Sequence, residues 1–134
     1  MMNRRMFSKT LFGGMLAGLL AGCISYHTPP MDRRVTVAPE LGTAVWVTDV
    51  RLSRGTSQHL TLQANVVNNT SSVVRMEYRV VWLDATGTQI DSLLSGWQPM
   101  SAAPREIVPL AGTAPRTDAV DFRIYVQAAR ANFR

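Results

Sequence analysis

Apolar and polar residues alternate with a period of two over most of the chain from Thr43 onward, which is the pattern of β-strands. Between Leu60 and Val66, for example, Leu, Leu, Ala and Val alternate with Thr, Gln and Asn. This alternation gives each strand one apolar face for a core and one polar face for water, as antiparallel sheets allow. Six segments follow the pattern: 44–52, 60–66, 74–82, 88–94, 105–110 and 120–126.

Turn-forming residues separate the predicted strands. Residues 68–72 (Asn-Asn-Thr-Ser-Ser) tolerate tight or left-handed backbone, and residues 84–87 (Asp-Ala-Thr-Gly) are typical of a type I turn. Short strands joined in this way, with no helical period between them, predict an all-β fold, namely an antiparallel immunoglobulin-like β-sandwich of six to seven strands. The seventh strand is expected near Trp97 or at Val35–Val37. Pro109 restricts its own segment to an edge strand or a strand end.

Residues 1–22 have the composition of a secretory signal peptide. Three basic residues and no acid precede an apolar segment at 11–20, which is too short to span a hydrocarbon core of about 30 Å. The segment ends in Leu20-Ala21-Gly22-Cys23, which resembles a bacterial lipobox and contains the only cysteine of the chain. We therefore expect cleavage between Gly22 and Cys23 and lipidation of Cys23, which two or three acyl chains would make a stable membrane anchor.

A second export signal overlaps the basic region. Residues 3–9 read Asn-Arg-Arg-Met-Phe-Ser-Lys and are similar to the twin-arginine export motif. The residues that match the motif are Arg4, Arg5, Phe7 and Lys9. Such a motif is an address that a receptor reads, not an anchor. The alternative is a general-pathway signal that happens to begin with two arginines.

The cleavage site divides the chain into a signal peptide at 1–22, a lipidated cysteine with a flexible tether at 23–42, and a β-sandwich domain at 43–134. The final residues, 127–134, favour a helical turn or a frayed tail. Removal of the signal peptide takes away three of the 14 basic residues and none of the nine acids, and leaves a lysine-free chain with a formal net charge of +2. Because no basic stripe remains, nucleic acid is not an expected partner.

A longer segment carries a family resemblance. Residues 74–87 resemble the hydrophobic-x-Tyr-Arg-x-x-Trp-x-Asp-x-x-Gly motif of the YcfL-like family of small bacterial envelope lipoproteins. Residues 109–115 and 122–126 are similar to the closing strands of that family, so the likeness covers roughly residues 43–127 and the lipobox. The resemblance implies an antiparallel β-sandwich on a lipid tether, without an established enzymatic activity and without binding residues to carry over. Members are often encoded near an outer-membrane lipoprotein that activates peptidoglycan synthases.

Aromatic side chains are the first candidates for binding. Tyr78 and Trp82 lie four residues apart and share one strand face, where we expect them to anchor the core rather than to form a stacking platform. Trp97 lies between Gly96 and Pro99, and it is the tryptophan that we expect to be partly exposed and able to face a partner.

Arginines on the outward face of one strand are the second candidates. Arg75 and Arg79 share that face with Glu77 between them. The simplest interpretation is a solvated, partly self-compensated face, in which such pairs contribute about 0–1 kcal/mol. The alternative is a site that binds carboxylates or phosphates of a partner through bidentate guanidinium contacts.

Catalytic and metal-binding chemistry has less support. His27 and His59 are isolated, whereas a metal site needs several convergent ligands, so we expect no metal and no cofactor. A hydrolase of the glycosidase type would need two carboxylates across a cleft. Two pairs of aspartates flank predicted strands: Asp118 with Asp121, and Asp84 with Asp91. The turn at 84–87 explains Asp84 better than catalysis does.

We therefore expect a non-enzymatic, lipid-anchored interaction or scaffolding module that faces the periplasm and has an envelope protein as its partner. Ile24 follows Cys23 where an aspartate would favour retention in the inner membrane, so the expected location is the outer membrane. One alternative is a protein cofactor or regulator of a peptidoglycan synthase. A more distant alternative is an envelope hydrolase that uses paired aspartates.

Overall fold

Residues 30–130, the part of the chain that the computed structural model describes, form eight β-strands and one short 3-10 helix. The strands are β1 (Val35–Val37), β2 (Val45–Arg54), β3 (Leu60–Asn68), β4 (Val74–Leu83), β5 (Gln89–Ile90), β6 (Gln98–Ala102), β7 (Ile107–Thr113) and β8 (Asp121–Ala128). The helix, Pro39–Leu41, follows β1. The predicted all-β class is confirmed, and both places considered for a seventh strand contain one.

The strands form two sheets. A five-stranded sheet has the order β1-β8-β4-β5, with β6 also paired to β4, and a three-stranded sheet has the order β2-β3-β7. Neighbouring strands are antiparallel except that β1 runs parallel to β8. The structure thus differs from the expected wholly antiparallel fold. The alternation of apolar and polar residues does not depend on the direction of a strand, so it could not predict that the three-residue β1 runs parallel to its neighbour.

The inward faces of the two sheets share one hydrophobic core. Its largest fully buried side chains come from both sheets: Phe122, Leu62, Met76, Ile90, Leu110 and Ile124. Trp82 is also buried and meets Phe122 edge to face, with 6.3 Å between the ring centroids. Tyr78 is only half-buried and packs at the margin of the core. Trp82 is therefore a core anchor, as predicted.

The N-terminal part of the fold includes residues that were expected to be a flexible tether. β1 pairs with β8 from Val35 opposite Ile124 to Val37 opposite Val126, and Leu41 is buried in the core. Because this segment has apolar side chains that the core can accept, the folded unit begins before residue 43. At the other end, Gln127 and Ala128 belong to β8 instead of a helical turn.

The edge of the five-stranded sheet beside β4 is interrupted. β5 pairs only with the last two residues of β4, whereas β6 pairs with its first five. A seven-residue loop, 91–97, lies opposite the three residues between them, 79–81, and exposes Leu93 and Leu94. The predicted strand at 88–94 is cut short at Ile90, where the loop leaves the edge.

Several predicted features lie outside the described residues. They are the export motif (Arg4, Arg5, Phe7 and Lys9), the cleavage site at Gly22 and Cys23, and His27. Within residues 30–130, no helix is long and apolar enough to cross a membrane.

Candidate functional site

The outward side of the five-stranded sheet brings together the arginines and the tryptophan that the sequence singled out. Arg75, Glu77 and Arg79 point away from the core because successive residues of a strand face opposite sides of the sheet. The register of β4 with β8 sets Arg79 opposite Tyr125. We call the outward cluster the arginine face and define it by six residues: Arg75, Glu77, Arg79, Trp97, Tyr125 and Arg130.

Arg79 lies between two aromatic rings at the centre of this face. Its guanidinium carbon is 5.5 Å from the ring centre of Trp97 and 5.4 Å from that of Tyr125. Each contact of this kind contributes about 0.5–1 kcal/mol when exposed and about 2 kcal/mol when desolvated. Among residues 30–130, the buried Nε atom has no hydrogen-bond partner and no ion pair involves Arg79. The two rings therefore fix the side chain without neutralising its charge.

Glu77 is buried although it points outward, with 2% of its surface exposed. Gln127 donates a hydrogen bond from Nε2 to the carboxylate, and the Nε of Arg130 lies 3.1 Å from Oε1. The expected compensation of Glu77 by Arg75 and Arg79 is therefore not what the structure shows. The reason is the β4–β8 pairing, which carries the segment after β8 across the end of β4 and brings Arg130 to the carboxylate. Among residues 30–130, Arg75 and Arg79 form no ion pair with Glu77, so their positive charges are available for other contacts.

A depression of about 440 Å³ lies beside this ion pair. Its lining includes Arg75, Glu77, Pro99, Ser101, Ala129 and Arg130. With three arginines and one glutamate, the arginine face has a formal charge of +2. A positive surface with a planar, preoriented guanidinium suits an acidic partner, since opposite potentials steer encounter and select the partner.

A second charged cluster joins β1 to β8 and is structural. Arg34 donates hydrogen bonds to both carboxylate oxygens of Asp32, at 2.9 and 2.7 Å. This bond outweighs desolvation and lowers the pKa of Asp32 to about 2. For Asp121, desolvation raises the pKa, but the N–H of Phe122 and the guanidinium of Arg123 together hold it below its usual range. Arg34 also lies over the ring of Phe122, 4.4 Å from its centre.

The other candidate catalytic residues each have a local partner. Asp84 accepts hydrogen bonds from the hydroxyl and N–H of Thr86 and from the N–H of Thr88, which lower its pKa and close the turn after β4. The remaining contacts are Asp91 with Gln89, Asp118 with Arg116, and the Nδ1 of His59 with the carbonyl of Ala114 at 2.8 Å. Residues 30–130 contain no group of three or more His, Cys, Asp or Glu side chains that could hold a metal ion. The structure does not bring the paired aspartates into the arginine face.

Two members of the arginine face were not singled out from the sequence. Tyr125 lies at an outward position of the last predicted strand. Alternation could therefore predict which face of the sheet it occupies, but not which residue of the neighbouring strand lies beside it. Arg130 follows β8 in a segment without a clear pattern. Neither residue carries a signal that points to Arg79 or Glu77 before the strands are paired.

Comparisons with known proteins identify relatives by sequence and by fold. The sequence model of a family described as "protein of unknown function (DUF1425)" matches residues 32–128. The fold is similar to the crystal structure of a DUF1425 member from Shewanella sp. pv-4, with a TM-score of 0.59 and 19% identity over 66% of this chain and 81% of that chain. It is also similar to Campylobacter jejuni Cj0090, with a TM-score of 0.60 and 23% identity over 73% of this chain and 100% of that chain. At these identities the likeness concerns the fold alone. No curated protein matches the sequence.

Proposed function

We propose that this chain, which belongs to the DUF1425 family, is a lipid-anchored, non-enzymatic interaction module of the bacterial cell envelope, and that its arginine face binds an acidic protein partner. The observation that carries the proposal is Arg79, a guanidinium oriented by Trp97 and Tyr125 and paired with no carboxylate among residues 30–130. A side chain held in this way loses little conformational freedom when it binds, so more of the contact energy appears as affinity.

The composition of the face also supports protein binding. Tryptophan, tyrosine and arginine are the residues most enriched among those that dominate binding energy at protein interfaces. Arg75 is exposed and lies on the same strand face as Arg79, two residues before Glu77, which Arg130 already compensates. Arg75 and Arg79 therefore offer two cations to the carboxylates of a partner, and the acid that lies between them, Glu77, is paired with Arg130.

The envelope setting rests on the sequence. The lipobox at Cys23 supports lipidation, and Ile24 supports sorting to the outer membrane with the domain facing the periplasm. The similarity of residues 74–87 to YcfL-like lipoproteins agrees with this setting. We propose as well that the two sheets form an immunoglobulin-like β-sandwich, whose rigid strands hold the arginine face in place.

Site-specific photo-crosslinking in whole cells tests the interaction. We expect a photoreactive amino acid at Ser101, which is exposed and lines the depression of the arginine face opposite Arg75, to crosslink to one envelope protein. The same probe at Gln63, exposed on the outward side of the three-stranded sheet, is the matched control and should give no such product. A product that contains a peptidoglycan synthase would identify the chain as a regulator of that enzyme.

The charge dependence of that product tests the role of Arg79. Arg79→Gln should lower the yield of the crosslink at least about fivefold, which corresponds to the loss of one oriented charged contact worth roughly 1 kcal/mol. Arg51→Gln removes an exposed arginine from β2 on the other sheet and should leave the yield unchanged. Equal yields at Gln63 and Ser101, or an unchanged yield with Arg79→Gln, would show that the arginine face is not the interface.

The anchor has its own test. Cys23→Ser should leave an unprocessed precursor or a form that is not membrane-bound, and mass spectrometry of the natural protein should find acyl chains on Cys23. Absence of lipid from the natural protein would refute the anchor and leave the binding proposal for the arginine face standing.

A further inference from the structure

The two sheets leave an opening on the side where β7 faces the interrupted edge of the other sheet. A cavity of about 210 Å³ lies in this opening. Its lining includes Tyr78, Trp82, Leu94, Ser95, Gly112 and Thr113. Because Tyr78 and Trp82 point inward from β4 whereas Arg79 points outward, the cavity and the arginine face lie on opposite sides of the five-stranded sheet.

The backbone of β7 offers unpaired hydrogen-bonding groups at this opening. The N–H of Ala114 donates to the carbonyl of Leu60 at 2.8 Å, and at the other end of the strand the N–H of Asn68 donates to the carbonyl of Glu106 at 2.9 Å. The even-numbered residues of β7 therefore bond to β3, and the N–H and C=O groups of the odd-numbered residues point away from it. β7 is an edge strand within residues 30–130, so in this part of the chain these odd-numbered groups have no neighbouring strand.

Only part of that edge is blocked. Pro109 is one of the odd-numbered residues, whose backbone groups point to the free edge of β7, and it has no N–H. Natural proteins protect edge strands with proline in this way. Ala111 and Thr113 are the next odd-numbered residues, and both line the cavity. The half of β7 that borders the cavity thus retains a donor and an acceptor at each of two alternate residues.

The cavity has room for one apolar side chain above Trp82. A Cβ atom placed on Gly112 would lie 3.8 Å from Cζ2 of Trp82 and 3.9 Å from Cγ2 of Val80, at ordinary van der Waals distance, so a longer side chain at position 112 would cover the part of the indole that borders the cavity. A cavity of about 150 Å³ is enough to hold a benzene ring, so the observed volume accepts a leucine or phenylalanine side chain. Among the side chains that line the cavity none is charged, and the Oγ of Ser95 is buried without a hydrogen-bond partner in residues 30–130.

We propose that this cleft binds an uncharged, extended peptide segment of a partner protein, which adds as a strand to β7 at Ala111–Thr113 and places one apolar side chain over Trp82. The charge of the lining selects the occupant. Because no charged side chain lines the cavity, a lysine or glutamate placed there would be buried without an opposite charge, whereas the arginine face can pair with an acid. The residue of the added strand opposite Gly112 points to the same side of the sheet as Gly112, hence into the cavity. Backbone bonds give the affinity and the cavity gives the specificity, as in other cases of strand addition.

The probe for this site is a set of short peptides, acetylated and amidated, with the sequence Thr-Val-X-Val-Thr. Binding to the full-length protein in mild detergent is measured by calorimetry and by hydrogen exchange of the Ala111 and Thr113 amides. We expect X = Leu or Phe to bind at least about tenfold more tightly than X = Ala, because burial of such a side chain is worth about 1.5–3 kcal/mol. Bound peptide should slow exchange at both amides.

Three variants separate this site from general damage to the fold. Ala111→Pro removes one outward N–H that β3 does not use, and it should weaken the peptide at least about tenfold without changing the fold. Gly112→Leu fills the cavity from within, and it should abolish binding while the melting temperature stays the same or rises. Gly112→Ala is its matched control and should retain binding, because its Cβ fits at van der Waals distance.

The outcomes distinguish this proposal from that for the arginine face. Arg79→Gln should leave peptide binding intact, so either site can fail alone. Absence of binding by every peptide at about 5 mM, equal affinity for X = Ala and X = Phe, or binding unaffected by Ala111→Pro would overturn the proposal. So would protection of the Ala111 amide in the protein without peptide, which would assign the edge to a segment of the same chain or to a second copy.

Discussion

Asn68 is the point at which the two sheets are tied together, and its replacement by aspartate tests the packing most sharply. It ends β3, in the three-stranded sheet, and is fully buried. The two hydrogens of its Nδ2 are shared among the carbonyls of Ser72, Ala102 and Ala103, at 2.8, 3.1 and 2.9 Å, and its Oδ1 accepts from the N–H and hydroxyl of Thr70. Asn68→Asp keeps the shape of the side chain and replaces the donor with a carboxylate oxygen that faces the three carbonyl oxygens.

The size of the effect follows from these bonds. Each hydrogen bond contributes a net of about 1 kcal/mol, and a buried carbonyl left without a donor costs about 1–3 kcal/mol. Asn68→Ala should therefore lower the free energy of unfolding by roughly 3–5 kcal/mol, a large share of the 5–15 kcal/mol typical of a domain. Asn68→Asp should lower it at least as much at pH 7, because a buried carboxylate also loses its hydration.

The pH dependence separates a charge effect from a packing effect. Burial raises the folded-state pKa of an aspartate at position 68 above its unfolded value, so the folded state binds more protons and the variant gains stability as the pH falls. Urea unfolding at pH 7 and at pH 5 measures this gain, which Asn68→Ala should not show. Asn69→Asp is the matched control, because the Oδ1 of Asn69 already accepts from Arg105 at 3.0 Å and a carboxylate fits there. A loss below about 0.5 kcal/mol in Asn68→Asp at pH 7 would refute the argument, since that is the range of neutral surface changes.

Three further predictions concern the core, the acid range and export. Trp82→Ala should lower the free energy of unfolding by about 3–5 kcal/mol in urea titration, and a loss near zero would contradict its place in the core. Asp32 has its pKa lowered to about 2 by Arg34, so its contribution to stability is present above its unfolded value of 3.8 and is lost as the pH falls through about 2. Because the pair is partly exposed, we expect Asp32→Asn to cost about 1 kcal/mol at pH 7 and to flatten the stability profile across that acid range. Replacing Arg4 and Arg5 by lysine should block export through the twin-arginine route, whereas normal export would assign the signal to the general pathway.

The sequence predicts the long strands because their alternation is strong, and it fails where alternation is short or broken. β3, β4 and β8 lie where the period of two places them, and Pro109 lies on an edge strand as its missing N–H requires. β1 has only three residues, and β6 contains a proline, so neither gives a clear period. Their pairing energy comes from the neighbouring strand, which the local sequence does not reveal.

The arginine face depends on a register that alternation cannot fix. Alternation places Arg79 and Tyr125 on the outward side of their strands, but a shift of β8 by two residues would leave every side chain on the same side. Such a shift would set Arg79 opposite Arg123 or Gln127 instead of Tyr125, and the aromatic contact would be lost. The contact with Trp97 depends in addition on the loop that interrupts the edge, since a continuous edge strand in the β5 register would place Leu93, and not Trp97, opposite Arg79. Binding chemistry at Arg79 is therefore a consequence of strand pairing, and a variant that alters the length of this loop should change it without touching any residue of β4.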